Sequence, residues 1–307
     1  MKKEELLEKE FVLSLKSVET ENTLDLYFYR PVGYLLARAF RNTRVTPNMV
    51  TVVSIFIGAG SGHLFYFNKW SYSLTGILLL VLANLLDCVD GQLARLTGRK
   101  SEIGRILDGV AGDIWFILIY TAFALQLTHT FGTAWFFLPA IFSGLSHLVQ
   151  ANITDYYKTL HLYFVSKEKG CEFRSREQVR AQQQRTKKGL YRFFYFLYEA
   201  YTCLQEHLTP ALQQLMKTLH ERYGDDLPEM LRQDFRRQSR RLMKRYIDLL
   251  TFNGRTLVLF AVVLSGHVWV YFIYEGLVLN LVLWKSIRKH ERMCRRISEK
   301  VANHAFG

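Results

Sequence analysis

Very apolar stretches alternate with strongly charged ones along the chain. A helix that crosses a bilayer needs about 20 mainly apolar residues. Four stretches have that length: Asn48–Phe67, Ser73–Ala94, Gly104–Leu127 and Ala134–Ile153. A further apolar run, Thr256 to Trp284, is too long for one untilted span and is interrupted by Ser265-Gly266-His267. Divided there, it makes one helix starting near Tyr246 and another covering Val268–Trp284. The pattern predicts an all-α polytopic membrane protein with six transmembrane helices.

Between and around these spans lie two pieces of another character. Residues 24–44 mix aromatics with arginine ahead of Thr46-Pro47 and suit an amphipathic helix lying in the membrane interface. Residues 158–245 form a basic, amphipathic insert, expected to be helical. One basic cluster there is Arg174, Arg176, Arg180, Arg185, Lys187, Lys188 and Arg192; the other runs from Arg232 to Arg245. The expected layout is an N-terminal segment 1–47, spans one to four in 48–157, the insert 158–245, spans five and six in 246–286, and a basic tail 287–307.

Charge then orients the spans. Arg38, Arg41 and Arg44, then Arg95, Arg99 and Lys100, then the insert, then Lys285 to Arg296 all fall on one side. The short loops of the other side, NKWSY, THTFGT and SGH, hold one lysine between them. Basic loops stay cytoplasmic, so both termini and the insert are expected there, in an inner, cytoplasmic membrane. Mean hydropathy is only +0.02 because the greasy and charged stretches cancel. The net charge of +13 calls for an anionic partner. Anionic lipid headgroups at the insert fit that role; nucleic acid does not, since no recognition motif accompanies the charge. Cys88, Cys171, Cys203 and Cys294 are scattered without metal-ligand spacing and read as free thiols. The first residues, MKKEELLEKEFVLSLK, are not expected to be a secretory signal.

The chemistry lies in LLDCVDGQLARLTGRKSEIGRILDGVAGD, residues 85–113. Asp87, Asp90, Asp108 and Asp113 sit at or just inside predicted membrane boundaries, where burying an aspartate costs about 2.5–3.5 kcal/mol on insertion scales. Such residues point to a site. Asp87 and Asp90 are three apart and share a helix face, and Asp108 arrives on the next helix. Carboxylates facing from two helices make an all-oxygen cage for a hard divalent ion such as Mg²⁺ or Mn²⁺. Gly91 and Gly104 would let a bulky ligand approach the backbone, and Arg95 could meet a phosphate with its planar fork. Together these features point to diphosphate chemistry.

The same run resembles the signature of the CDP-alcohol phosphatidyltransferase family, D-x2-D-G-x2-A-R-x8-G-x3-D-x3-D. Asp87, Asp90, Gly91, Ala94, Arg95, Gly104 and Asp108 match it in identity and spacing. The preceding RVTPNMVTVVSIFIGAG resembles the family's first membrane helix. The 158–245 insert lies outside the resemblance. One position departs: the last aspartate falls due at Gly112, and the next acid is Asp113. On a regular helix, a residue five along lies about 140° from Asp108, so Asp113 would point elsewhere. A single π-bulge eased by Gly109 and Gly112 would restore its phase. A displaced Asp113 would instead mark altered or lost catalysis.

The resemblance implies transfer of a substituted phosphoryl group from a CDP-linked lipid donor to a polar alcohol acceptor, with release of CMP. It implies two divalent ions, Mg²⁺ or Mn²⁺, on Asp87, Asp90, Asp108 and Asp113, with Asp113 also the catalytic base. Gly91, Ala94, Arg95 and Gly104, with Asn48, Thr51 and Asp87, would bind the nucleotide. Arg105, Lys158 and Arg255, with Asp155 and Asn253 nearby, are candidates for the acceptor, such as inositol phosphate or glycerol phosphate. Family members tend to dimerise, so a homodimer is expected. The competing readings are a non-catalytic family member that binds nucleotide or lipid, and a divalent-cation transporter.

Overall fold

A computed structural model describes residues 2–99, 101–165, 173–185, 189–224 and 226–303. Side chains 2–7, 102, 103, 105, 106, 190, 191, 193 and 194 are outside that description, as are Lys100, Cys171, Lys187 and Lys188. All described regular elements are helical.

Among the described residues, six helices are long and apolar enough to cross a membrane: Pro47–Phe65, Trp70–Thr97, Leu107–Phe131, Ala134–Val165, Glu229–Ser265 and Trp269–Ala302. The count matches the hydropathy pattern, but three helices run beyond their apolar cores. The helix predicted to end at Ile153 continues to Val165, the fifth reaches back to Glu229, and the last reaches Ala302. Hydropathy marks only the lipid-facing length of a helix, whereas helical hydrogen bonding continues as long as one face stays buried. The fifth helix breaks at Thr251, whose backbone is extended (φ −79°, ψ 170°). The separation at Ser265-Gly266-His267 is present, with Gly266 in the left-handed region at φ 74°.

The chain divides into two compact units, Met1–Leu148 with Phe252–Asn280, and Val149–Thr251 with Leu281–Gly307. The first opens with α1 (Lys2–Ser14), a π-helical turn Asp25–Tyr29 and α2 (Arg30–Phe40). The helix expected at 24–44 is therefore present. Next come α3 (Pro47–Phe65), α4 (Trp70–Thr97) and α5 (Glu102–Phe131). Local chemistry sets their ends. Thr46 caps α3 by accepting from the Met49 amide, with Pro47 pre-organised at the first position. Gly98, at φ 68°, ends α4, and Ser101 caps α5 by accepting from the Gly104 amide at 2.9 Å. This short turn brings α5 back beside α4.

Close packing relies on small residues, as between membrane helices generally. A Cβ at Gly58 would collide with the Trp115 indole, and one at Gly62 would meet Leu118 at 3.2 Å. These two glycines, one turn apart on α3, seat it against α5. Phe65, Trp115, Phe116, Ile119 and Phe123 anchor the core of this unit. Large apolar side chains also face outward, among them Phe56 at 73% exposure and Leu78 at 61%. A surface of this kind is expected where lipid is the solvent.

The second unit begins within α6 (Phe137–Val165) and continues through α7 (Arg176–Arg185), α8 (Leu190–Leu208), α9 (Pro210–Tyr223) and α10 (Glu229–Leu242). The insert is thus helical as expected. On α10, Leu231 and Phe235 are buried while Arg237, Arg240 and Arg241 are exposed. Phe235 stacks on Phe164 with ring centroids 3.7 Å apart. Beyond the single turn α11 (Asp248–Leu250), the chain continues through α12 (Phe252–Ser265) and α13 (Trp269–Ile273) to α14 (Leu279–Ala302).

Candidate active site

Asp87 and Asp90 leave α4 on one face, and Asp108 meets them from α5, with one carboxylate oxygen from each within 4.8 Å of the others. Asp90 is buried, Asp87 half-buried and Asp108 exposed, so the cluster has a closed floor and an open side. Three carboxylates this close repel one another unless a cation lies among them. All donors are hard oxygens, which suits a divalent ion of the Mg²⁺ class and not a soft metal. Thr51 on α3 donates its hydroxyl to Asp90 Oδ2 at 2.5 Å. It therefore orients a carboxylate of the cluster.

Space over the two motif glycines is taken by the protein's own side chains. A Cβ at Gly104 would lie 2.5 Å from Asn48 Oδ1, and one at Gly91 would lie 3.1 Å from Arg95 Nη2. Asn48 also accepts a hydrogen bond from Ser101 at 3.1 Å. The glycines thus admit Asn48 and Arg95, the side chains expected beside a nucleotide. Arg95 is half-buried, and its Nε donates to the Ser14 carbonyl. Gln92 donates to Ser14 Oγ at 3.0 Å and to the Arg30 carbonyl at 3.1 Å, so α1 and α2 are tied to the motif helix. Ala94 is half-buried on the same helix. These N-terminal partners carried no sequence signal, because they are ordinary residues brought in by packing.

Asp113 corrects one expectation. Helix α5 is α-helical from Glu102 to Phe131 without a π-bulge. Nothing packs within 4 Å of a Cβ built at Gly109 or Gly112, so no neighbour forces a distortion there. The regular helix leaves Asp113 outside the three-carboxylate group and turns it to His147, with its Oδ1 3.7 Å from Nε2. His147 is buried, stacks on Phe116 at 4.5 Å and receives Arg255 Nη1 at Nδ1, 3.0 Å away. Guanidinium is only a donor, so Nδ1 accepts and the ring proton lies on Nε2, facing Asp113. Arg255 is in turn paired with Glu275.

Arg255 is the second correction. Expected at an acceptor entrance, it is 1% exposed and locked to Glu275 and His147. A charge this deep is tolerable only when paired, and Glu275 supplies the pairing. Asn253 is buried and donates to Asp25 at 2.8 Å. Asp155 is exposed and Lys158 half-buried, both in the second unit. The Arg105 side chain lies outside the described residues. His147 was missed because a lone histidine in an apolar span has no distinguishing spacing.

Comparison with known proteins agrees with this geometry. Residues 44–169 match the CDP-alcohol phosphatidyltransferase family. A bifunctional IPC transferase and DIPP synthase from Aquifex aeolicus is 33% identical over 116 residues, 38% of this chain and 25% of that protein. An archaetidylinositol phosphate synthase from Pyrococcus horikoshii is 36% identical over 73 residues, 24% of this chain and 37% of its own length. A ceramide phosphoethanolamine synthase from Drosophila melanogaster is 27% identical over 99 residues, 30% of this chain and 25% of its own length. The shared part is thus well under half of each of these relatives. Signature, convergent carboxylates and matched segment agree: residues 44–169 of this chain are similar to the CDP-alcohol phosphatidyltransferase family.

Proposed function

We propose that this membrane protein transfers a substituted phosphoryl group from a CDP-linked lipid, such as CDP-diacylglycerol, to the hydroxyl of a polar alcohol, releasing CMP. The observation that carries this reading is the convergence of Asp87, Asp90 and Asp108 from two helices of the matched domain. Their oxygens would hold Mg²⁺ or Mn²⁺, two ions in all. The metal would bind the donor's diphosphate and neutralise charge developing on the CMP leaving group. Thr51 holds the Asp90 carboxylate in place, while Asn48 and Arg95 stand ready for the nucleotide. Asp113 accepts the proton of the attacking hydroxyl, facing His147 instead of the other acids.

The Pyrococcus horikoshii relative is named for an inositol phosphate product. That supports an inositol phosphate as the acceptor here, with glycerol phosphate as the other choice. The positive-inside pattern supports carboxylates and both termini at the cytoplasmic face of an inner membrane. There the lipid donor keeps its tails in the bilayer while the acceptor enters from water. The exposed arginines of α10 would rest on anionic headgroups, and the protein would act as a homodimer.

The orientation of Asp113 away from the cluster favours a second reading, in which nucleotide or lipid binds without turnover. The test is CMP release by purified protein with Mg²⁺ or Mn²⁺, CDP-diacylglycerol and a panel of alcohols. Turnover with any acceptor, lost in Asp90→Asn, supports transfer. CDP binding without turnover across the panel supports the silent reading. Metal flux into proteoliposomes without either would indicate a transporter.

A further inference from the structure

A second cluster of ligating side chains lies on α14, in the second unit and apart from the reaction described above. His290, Glu291 and Cys294 are all buried, at 3%, 7% and 0% exposure, and one ligand atom from each lies within 4.8 Å of the others. Positions i, i+1 and i+4 of a helix fall within a 100° arc, so one face presents all three. Cys294 Sγ lies 3.6 Å from His290 Nδ1. Bond lengths of about 2.3 Å to sulfur and 2.0–2.1 Å to nitrogen, at a tetrahedral angle, give a separation of about 3.5–3.6 Å. The pair is therefore spaced for a shared ion.

Glu291 also has capacity to spare. Its two oxygens accept from the Ala211 amide at 2.7 Å and the Leu212 amide at 3.3 Å, capping α9. Each carboxylate oxygen has a second lone pair. An independent feature points to the same spot. Tyr157 stacks on His290 with ring centroids 4.0 Å apart, and its buried hydroxyl has no hydrogen-bond partner among the described residues. A buried hydroxyl lacking a partner is uncommon in folded proteins.

We propose that His290, Glu291 and Cys294 form a structural site for a borderline-soft divalent ion of the Zn²⁺ class. The donor set is nitrogen, sulfur and carboxylate oxygen, the combination such ions prefer and Mg²⁺ does not. On binding, the Cys294 thiol loses its proton to solvent. Thiolate and carboxylate then neutralise the ion, so the buried site carries no net charge. The ion would pin α14 to α9 through Glu291, bracing the basic insert.

The test uses the full-length protein in detergent. Bound zinc is measured by mass spectrometry after purification without chelator, and Co²⁺ replaces it as a spectroscopic probe. One zinc per chain is expected, with a sulfur-to-cobalt charge-transfer band in the near ultraviolet. Cys294→Ser should abolish the band, whereas Asp90→Asn, at the acidic cluster, should leave it unchanged. Glu291→Gln keeps an oxygen to cap α9 but removes the charge, and should weaken Co²⁺ binding by more than roughly 10-fold with the protein still folded. Folded wild-type protein that holds no zinc and gives no cobalt band overturns the proposal. So does a band that survives in Cys294→Ser.

Discussion

At the scale of single residues, the site depends on who holds each carboxylate. Thr51 donates to Asp90. Groups that orient metal ligands typically contribute 10–100-fold to affinity or activity, so Thr51→Val should raise the Mn²⁺ requirement or lower CMP release by roughly that factor. Titrating Mn²⁺ in the release assay separates the two. Asp113 allows a sharper test. As general base it should contribute roughly 10²–10⁴ to kcat, so Asp113→Asn should lose that much while the metal dependence stays put. A Cβ at Gly112 meets nothing within 4 Å, so an aspartate fits there without rearrangement. Gly112→Asp in the Asp113→Asn background should then recover part of the loss. Wild-type kcat in Asp113→Asn alone would remove Asp113 from the mechanism.

At the scale of elements, the packing of α3 brings Thr51 to Asp90. Gly58 admits the Trp115 indole, and Gly62 rides on Leu118. Gly58→Ala forces a methyl into that contact and should destabilise the protein by about 1–3 kcal/mol, the usual range for an overpacked core. Thermal unfolding in detergent measures it, with Gly60→Ala as the control, since a Cβ there lies 3.6 Å from its nearest neighbour. The apolar runs made the spans readable, because each must cover the same bilayer thickness. The glycines that set their mutual approach were readable only as small residues, since a sequence does not say which large side chain will fill the gap. Helix ends were legible at Thr46-Pro47, whose capping chemistry is local. They were not legible at Glu229 or past Ile153, where polar-looking helix continues and Phe164 stacks on Phe235.

At the scale of the whole molecule, two features await measurement. One is orientation. On the proposed positive-inside orientation, a fluorescent reporter joined after Gly307 should fluoresce and alkaline phosphatase joined there should be inactive. The opposite pair of outcomes would invert the topology. The other is the buried ion pair of Arg255 and Glu275, which joins helices α12 and the Trp269–Ala302 span beside His147. Removing one member strands a charge in the core, at a cost of about 3–5 kcal/mol, whereas replacing both with apolar residues costs far less. Unfolding of Arg255→Met, Glu275→Met and the double variant closes the cycle.

The sequence by itself determined the all-helical membrane fold and the six spans, because bilayer thickness imposes one length on every apolar run. It also determined which three aspartates meet, because helix periodicity and a short turn leave Asp87, Asp90 and Asp108 little choice. Only the tertiary structure decided the fate of Asp113 and Arg255. A one-residue slip allows either a bulge or a rotation, and the balance depends on what the rotated carboxylate finds. Here it finds His147, already oriented by Arg255, with Glu275 compensating the arginine. Those partners come from helices far apart in the chain, and no local pattern records that they meet.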